Sequence, residues 1–180
     1  KFRYPVKDLE LDSTIFPKND LEKEDLVNDY KNLWNDFNSE LSGLTNINDN
    51  IEYLINHLLN ILKKFTWAIP SSTKDRPDIS LYDHLRTTAA AAACLYDYFA
   101  ENDFDENKLK KRDDNKFLLV YGDISGIQDF IYKLTNKAAN KGLKGRSFYL
   151  DLFTNAAVKY IMTEYELPDT NILYTGGGGF

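Results

Sequence analysis

The segment DFDENKLKKRDDN (103–115) constrains this chain more than any other, because it separates two stretches written in different periodicities. It is dense in charge and poor in apolar residues, the signature of an exposed connection. Before it, apolar residues recur at steps of three and four. After it, short apolar runs and glycines alternate with one long amphipathic stretch. One packing scheme does not serve both patterns, so the spacing predicts a helical unit over 1–105, a linker over 106–115 and a mixed unit over 116–180.

Within the first unit, 1–17 reads as extended, punctuated by Pro5 and Pro17. From Asp20 onward Leu26, Tyr30, Leu33, Trp34, Phe37, Leu41 and Leu44 follow helical spacing. The polar run TNINDN breaks this helix, and Asp49 or Asn50 can cap a second one through Ile51, Leu54, Leu58, Leu62 and Phe65. WAIPSSTKDRPD carries two prolines and reads as a loop. A third helix is expected to start at Ser80, where Ser80 and Asp83 approach a capping box. Five alanines at 89–93 give it high propensity and let a neighbour come close.

In the second unit FLLVY (117–121) has the length and bounds of a buried strand. GDISGIQDFIYKL reads as a turn into a helix, KAANKGLKG as a basic connector, and RSFYLDLFTNAAVKYIMTEYEL as a long helix ended by Pro168. A second strand over 171–175 leads into Gly176 to Gly179. The order β-α-α-β makes the fold class α+β and ends in a hairpin. Together with the missing initiator Met, that ending is expected of a piece of something larger.

Hydrophobic residues form 43% of the 180, ample for a core and incompatible with disorder. The net charge of −6 argues against non-specific nucleic-acid binding by the chain as a whole, leaving room for a local basic patch. The single Cys94 excludes an internal disulfide and suits a reducing cytoplasm. No signal peptide opens the chain and no apolar run is long enough to span a bilayer, so no membrane partner is expected.

Chemistry concentrates where FLLVY gives way to Gly122-Asp123, a carboxylate at the C-terminal end of a strand, where α/β sheets seat ligands. Ser125 and Gly126 can offer backbone N–H groups to a phosphate, and Asp123 can hold a divalent cation shared with phosphate oxygens. Equally, Asp123 or Ser125 serves as a helix cap. In a β-α-α-β arrangement the closing hairpin falls near Asp123. Two glycines satisfy a tight turn; four leave room for a nucleotide to approach the backbone. Lys137, Lys141, Lys144 and Arg146 form a basic cluster that could meet a polyphosphate, or simply be a solvated face. Ser147 is a candidate N-cap of the long helix and a candidate phosphate contact. Asp83 and His84 point about 100° apart on a helix and do not grip one ion together; His84 and His57 read as structural.

WAIPSSTKDRPDISLYDHLRTTAAAAACLY, GDISGIQDFIY, LKGRSFYLDLF and LYTGGGGF occur in this order. So ordered, they resemble the large signature subunit of type III CRISPR effector complexes, Csm subtype. The opening YPVKDLELDSTIFP resembles it too, so the likeness covers most of the chain. It implies an antiviral-defence protein with an HD-type nuclease domain that cuts single-stranded DNA. Two ferredoxin-like palms would convert ATP into cyclic oligoadenylate once target RNA is captured. This chain would then hold the later HD helices and the first part of the first palm.

The family's His-Asp metal pair would lie upstream of Lys1 and its catalytic GGDD hairpin in the second palm. Asp83-His84, in the reverse order, is at most a supporting element. No residue of this piece is therefore assigned a catalytic or metal-binding role. The resemblance implies ATP as ligand, contacted by Asp123, Ser125, Gly126, Ser147 and the backbone of Gly176, Gly177, Gly178 and Gly179, with Mg or Mn expected for the full-length protein. It implies other complex subunits, guide and target RNA, and single-stranded DNA as partners. Two other readings fit the residues alone: a stand-alone cyclase-like regulatory domain that binds a nucleotide, and a purely structural docking module.

Overall fold

A computed structural model of the chain describes residues 2–19, 26–46, 51–133 and 139–180. Contacts group them into two compact units, Lys1–Arg86 and Thr87–Phe180. The division falls inside the third helix, whereas the sequence places the connection at 106–115.

In the first unit α1 (Leu26–Ser42) and α2 (Ile51–Thr66) pack against each other, as their apolar stripes predict. The expected start of α1 near Asp20 and the caps Asp49 and Asn50 lie outside the described residues. Val6, Leu33, Phe65 and Ile69 form a core on which Leu26, Phe37, Ile61 and Leu81 close. Beside it Tyr4, Ile15 and Ala68 are buried under Leu9 and Trp67, and the Tyr4 and Trp67 rings meet edge to face with centroids 5.6 Å apart. The N-terminal segment is extended, as read, and bridges Arg3 to Lys18 and Lys7 to Ala68. Asp12 caps a short 3₁₀ turn at Ser13–Ile15 by accepting from the Thr14 N–H, and the Thr14 hydroxyl, with that N–H second, holds its carboxyl below the usual range. The loop 67–80 is tied down at its end, where the buried Ser80 hydroxyl donates to the Trp67 carbonyl at 2.7 Å and the Leu81 N–H to Ile69.

The third helix, α3 (Leu81–Ala100), begins directly after Ser80, as predicted. The charged segment holds a short helix, α4 (Glu106–Lys110), capped by Asp105. α5 (Ile127–Tyr132) packs against α6 (Ala139–Glu164). Buried positions of the second unit are Ala90 and Phe99 of α3, Thr154, Val158 and Met162 of α6, Thr170, and Gly178 and Gly179 of the glycine run. The steps of four along α6 put its three on one face. Asn171 donates its side-chain amide to the Ala90 carbonyl and the Cys94 sulfur, joining the segment after α6 to α3.

Two expectations are not borne out as read. Among the described residues there is almost no sheet, so they do not confirm the ferredoxin-like sandwich. FLLVY forms no strand and is exposed, with Leu118 at 85% and Leu119 at 79%. A strand is defined by its neighbours' hydrogen bonds, and pairing is confined to a few residues, with isolated bridges joining Asp123 to Gly179 and Gly176 to Gly179. The second correction concerns α6, which begins by Ala139 rather than at Arg146. Lys141, Leu143, Lys144 and Arg146 are good helix formers and carry the helix through Gly142 and Gly145. Ser147 therefore sits inside the helix and does not cap it.

Candidate functional site

The four glycines build a two-residue hairpin turn. The Gly176 N–H donates to the Gly179 carbonyl at 3.0 Å and the Gly179 N–H to that of Gly176 at 3.1 Å. Between them Gly177 and Gly178 have φ of 62° and 89°, the two positive values that a type I′ turn requires. The outgoing arm runs antiparallel to 122–124: Gly122 N–H to Phe180 O at 3.0 Å, Phe180 N–H to Gly122 O at 2.9 Å, and Ile124 N–H to Gly178 O at 2.9 Å. The hairpin thus lands beside Asp123, as the β-α-α-β order predicts.

Side chains alternate across this short pair. On one face lie Gly122, Ile124, Gly178 and Phe180, and there a Cβ at Gly122 would collide with the Phe180 ring and one at Gly178 with Ile127. The other face carries Asp123 and Gly179, where a Cβ at Gly179 would lie 3.6 Å from Asp123 Oδ1 and 3.7 Å from the Tyr121 hydroxyl. The Tyr174 hydroxyl donates to the Gly176 carbonyl at 2.9 Å and steadies the turn.

Directly after Asp123 the chain turns through Ser125 and Gly126, which has φ of 77° and precedes α5. A cleft of ≈ 230 Å³ opens there, walled by Ile124, Ile127, Phe130, Tyr149, Leu150 and Phe153, with Ser125 and Gly126 at its edge. It is smaller than the roughly 300–1,000 Å³ of sites for whole drug-sized ligands. Arg146 closes the end of α5. Its guanidinium donates to the Phe130 carbonyl and, at 3.1 Å, to that of Lys133, and lies 5.2 Å from the Phe130 ring centroid.

The structure thus brings together Asp123, Ser125, Gly126 and Gly176 to Gly179. Ser147 is exposed on α6 and does not line the cleft. Of the basic cluster, Arg146 is engaged by α5, Lys141 and Lys144 are exposed, and Lys137 lies outside the described residues. The aromatic walls were missed from sequence, although Tyr149 and Phe153, one helical turn apart and stacked with centroids 6.4 Å apart, carried a signal. In the first unit His57 lies edge-on to Tyr53 with centroids 4.1 Å apart, and the His84 N–H donates to Ser80 O. Among the described residues no three His, Cys, Asp or Glu side chains gather as a metal site, and no helix is long and apolar enough to cross a membrane.

Residues 116–180 match the family model for Csm1 subunit domain B. Over 99% of its length the chain is 38% identical to a Methanocaldococcus jannaschii protein described as the CRISPR system single-strand-specific deoxyribonuclease Cas10/Csm1, subtype III-A. Its counterpart from Enterococcus italicus is 36% identical over 88% of the chain. Among solved structures, a Csm1–Csm4 cassette in complex with AMPPNP superposes with a TM-score of 0.78 at 31% identity, covering 99% of this chain and 23% of that one. Csm1 of Thermococcus onnurineus superposes at 0.71 and 27% identity, covering 98% of this chain and 23% of that one. The hairpin-bearing unit is of the kind found in large subunits of type III CRISPR effectors. More narrowly, the chain belongs to the Cas10/Csm1 family of subtype III-A. It spans about a quarter of the length of its curated relatives, 24% and 22% of the two named.

Proposed function

We propose that this chain supplies the ATP-binding, non-catalytic first palm of a type III CRISPR large subunit, next to part of its HD domain. The observation that carries the reading is the bridge between Asp123 and Gly179. It sets one carboxylate, the Ser125–Gly126 turn and a side-chain-free hairpin within one small region. Open space beside Gly126 and Gly177, where a Cβ would meet nothing within 4 Å, suits phosphate oxygens approaching the backbone. The aromatic cleft at Ser125 receives the adenine ring. Ser147 is retained as a contact for a nucleotide that extends along α6.

Transfer by two metal ions needs carboxylates that bracket the pair. Asp123 is one such group and the hairpin adds none, so this palm holds ATP and a second palm activates the hydroxyl. A divalent cation at this palm would be held by Asp123 and would offset phosphate charge. In the whole protein the two palms make cyclic oligoadenylate and the HD domain cuts single-stranded DNA, in a cytoplasmic complex with other subunits and with guide and target RNA.

Calorimetry with ATP on the full-length protein tests this. Asp123→Asn is expected to weaken binding and to slow oligoadenylate synthesis less than loss of the second palm's carboxylates. Equal abolition by both changes removes the division of labour, and unchanged affinity removes Asp123 from the site.

A further inference from the structure

We infer that Phe180 and Ile127 are positioning residues for the nucleotide site: each fills the place where a glycine has no side chain, and together they hold the turn so that its opposite face presents Gly179 beside Asp123. This rests on the nucleotide reading above. The pairing of 122–124 with the outgoing arm has three backbone hydrogen bonds. A two-stranded ribbon is marginal in water without a packed face. That face is built from Ile124, Ile127 and Phe180 seated on Gly122 and Gly178. An aromatic ring laid across a cross-strand glycine is a known way of pinning register. Because alternate residues face opposite ways, a shift of one residue would exchange the packed face for the one carrying Asp123.

The four glycines then have separate duties. Gly177 and Gly178 supply the positive φ of the turn, and Gly178 is also the socket for Ile127. Gly176 and Gly179 share the face of Asp123, with Gly179 buried against it, and the backbone open to a ligand is that of Gly177 and, before α5, Gly126. Gly122, outside the run, is the socket for Phe180. Removing the ring or filling its socket loosens the same lock, so the two changes should not add.

The test uses the full-length protein with ATP affinity measured by calorimetry well below the melting temperature. Phe180→Ala and Gly122→Ala are each expected to weaken ATP about tenfold, which corresponds to about 1.4 kcal/mol. The double variant should be no weaker than the worse single. Phe180→Leu, which keeps apolar bulk over Gly122, should retain affinity within about twofold and carries the test if Gly122→Ala does not fold. Affinity unchanged in Phe180→Ala, or losses that simply add in the double variant, overturns the positioning role. Failure of the unsubstituted protein to bind ATP instead overturns the nucleotide reading, and this inference with it.

Discussion

Asp123 and Gly179 face each other across an antiparallel bridge, with Asp123 Oδ1 3.6 Å from the point a Cβ on Gly179 would occupy. A side chain there would share the space in which the site's one carboxylate sits. Gly179 is outside the set of positive-φ glycines, so its backbone accepts one.

Gly179→Asp should therefore fold and place two carboxylates opposite each other. Like charges placed directly opposite are destabilising, the more so at the buried position 179, and a divalent cation between them offsets that cost. The melting temperature of the full-length variant should fall slightly in chelator and recover with Mn²⁺ more than the parent does. Equal responses to Mn²⁺ would show that the two groups do not converge.

The exposed run 117–121 has no charge and no proline and is rich in β-forming side chains. Expressed as residues 1–180 alone, the chain is expected to self-associate through it. Leu118→Lys should lower light scattering at equal concentration without changing the helical circular dichroism. Undiminished scattering would place the contact elsewhere.

Phe65, 3% exposed and 5.9 Å from Phe37 ring to ring, closes the core of the first unit. Phe65→Ala should cost about 3–5 kcal/mol in urea unfolding. Val27→Ala, at a position 78% exposed on α1, should stay within about 0.5 kcal/mol. A small loss at Phe65 would mean that the core collapses onto the vacancy.

Burial, and then the carboxylates of Asp83 and Asp78, push the Tyr4 phenol above its ordinary 10.0. The unfolded chain releases that proton first as pH rises. Tyr4's contribution is thus complete below pH 10.0 and is lost as pH climbs through the higher folded value. Urea midpoints measured at about pH 8 and about pH 10.5 should differ less in Tyr4→Phe than in the parent. An identical difference would rule out Tyr4 as the titrating group.

The helices were legible because their information is local: Leu33, Phe37, Leu58 and Phe65 repeat with the turn of the helix, and Ser80 marks where α3 begins. The start of α6 was not, because two glycines look like a connector although the lysines, leucine and arginine around them favour the helix. FLLVY shows the opposite limit. Its composition reads as a buried strand, but burial is conferred by partners, and none of the described residues covers it. At the hairpin, position was legible and division of labour was not. Nothing in GGGG tells which glycine turns the chain, which receives Ile127 and which faces Asp123. Those duties follow from Gly122, Ile127 and Phe180, read only once the pieces are side by side.

Arg146 has one more consequence. α5 is six residues long, too short to be stable by itself, yet its first turn carries the Ser125–Gly126 loop and its last carbonyls end on a guanidinium rooted in α6. Mechanically it is a cantilever: the loop at its free end keeps its aim only as well as the fixed end is clamped. A lysine at 146 would keep the charge and lose the planar guanidinium that lies beside the Phe130 ring while one of its nitrogens reaches two carbonyls, so the aim of the loop is set by a residue sixteen positions beyond Phe130 and further still beyond the loop itself.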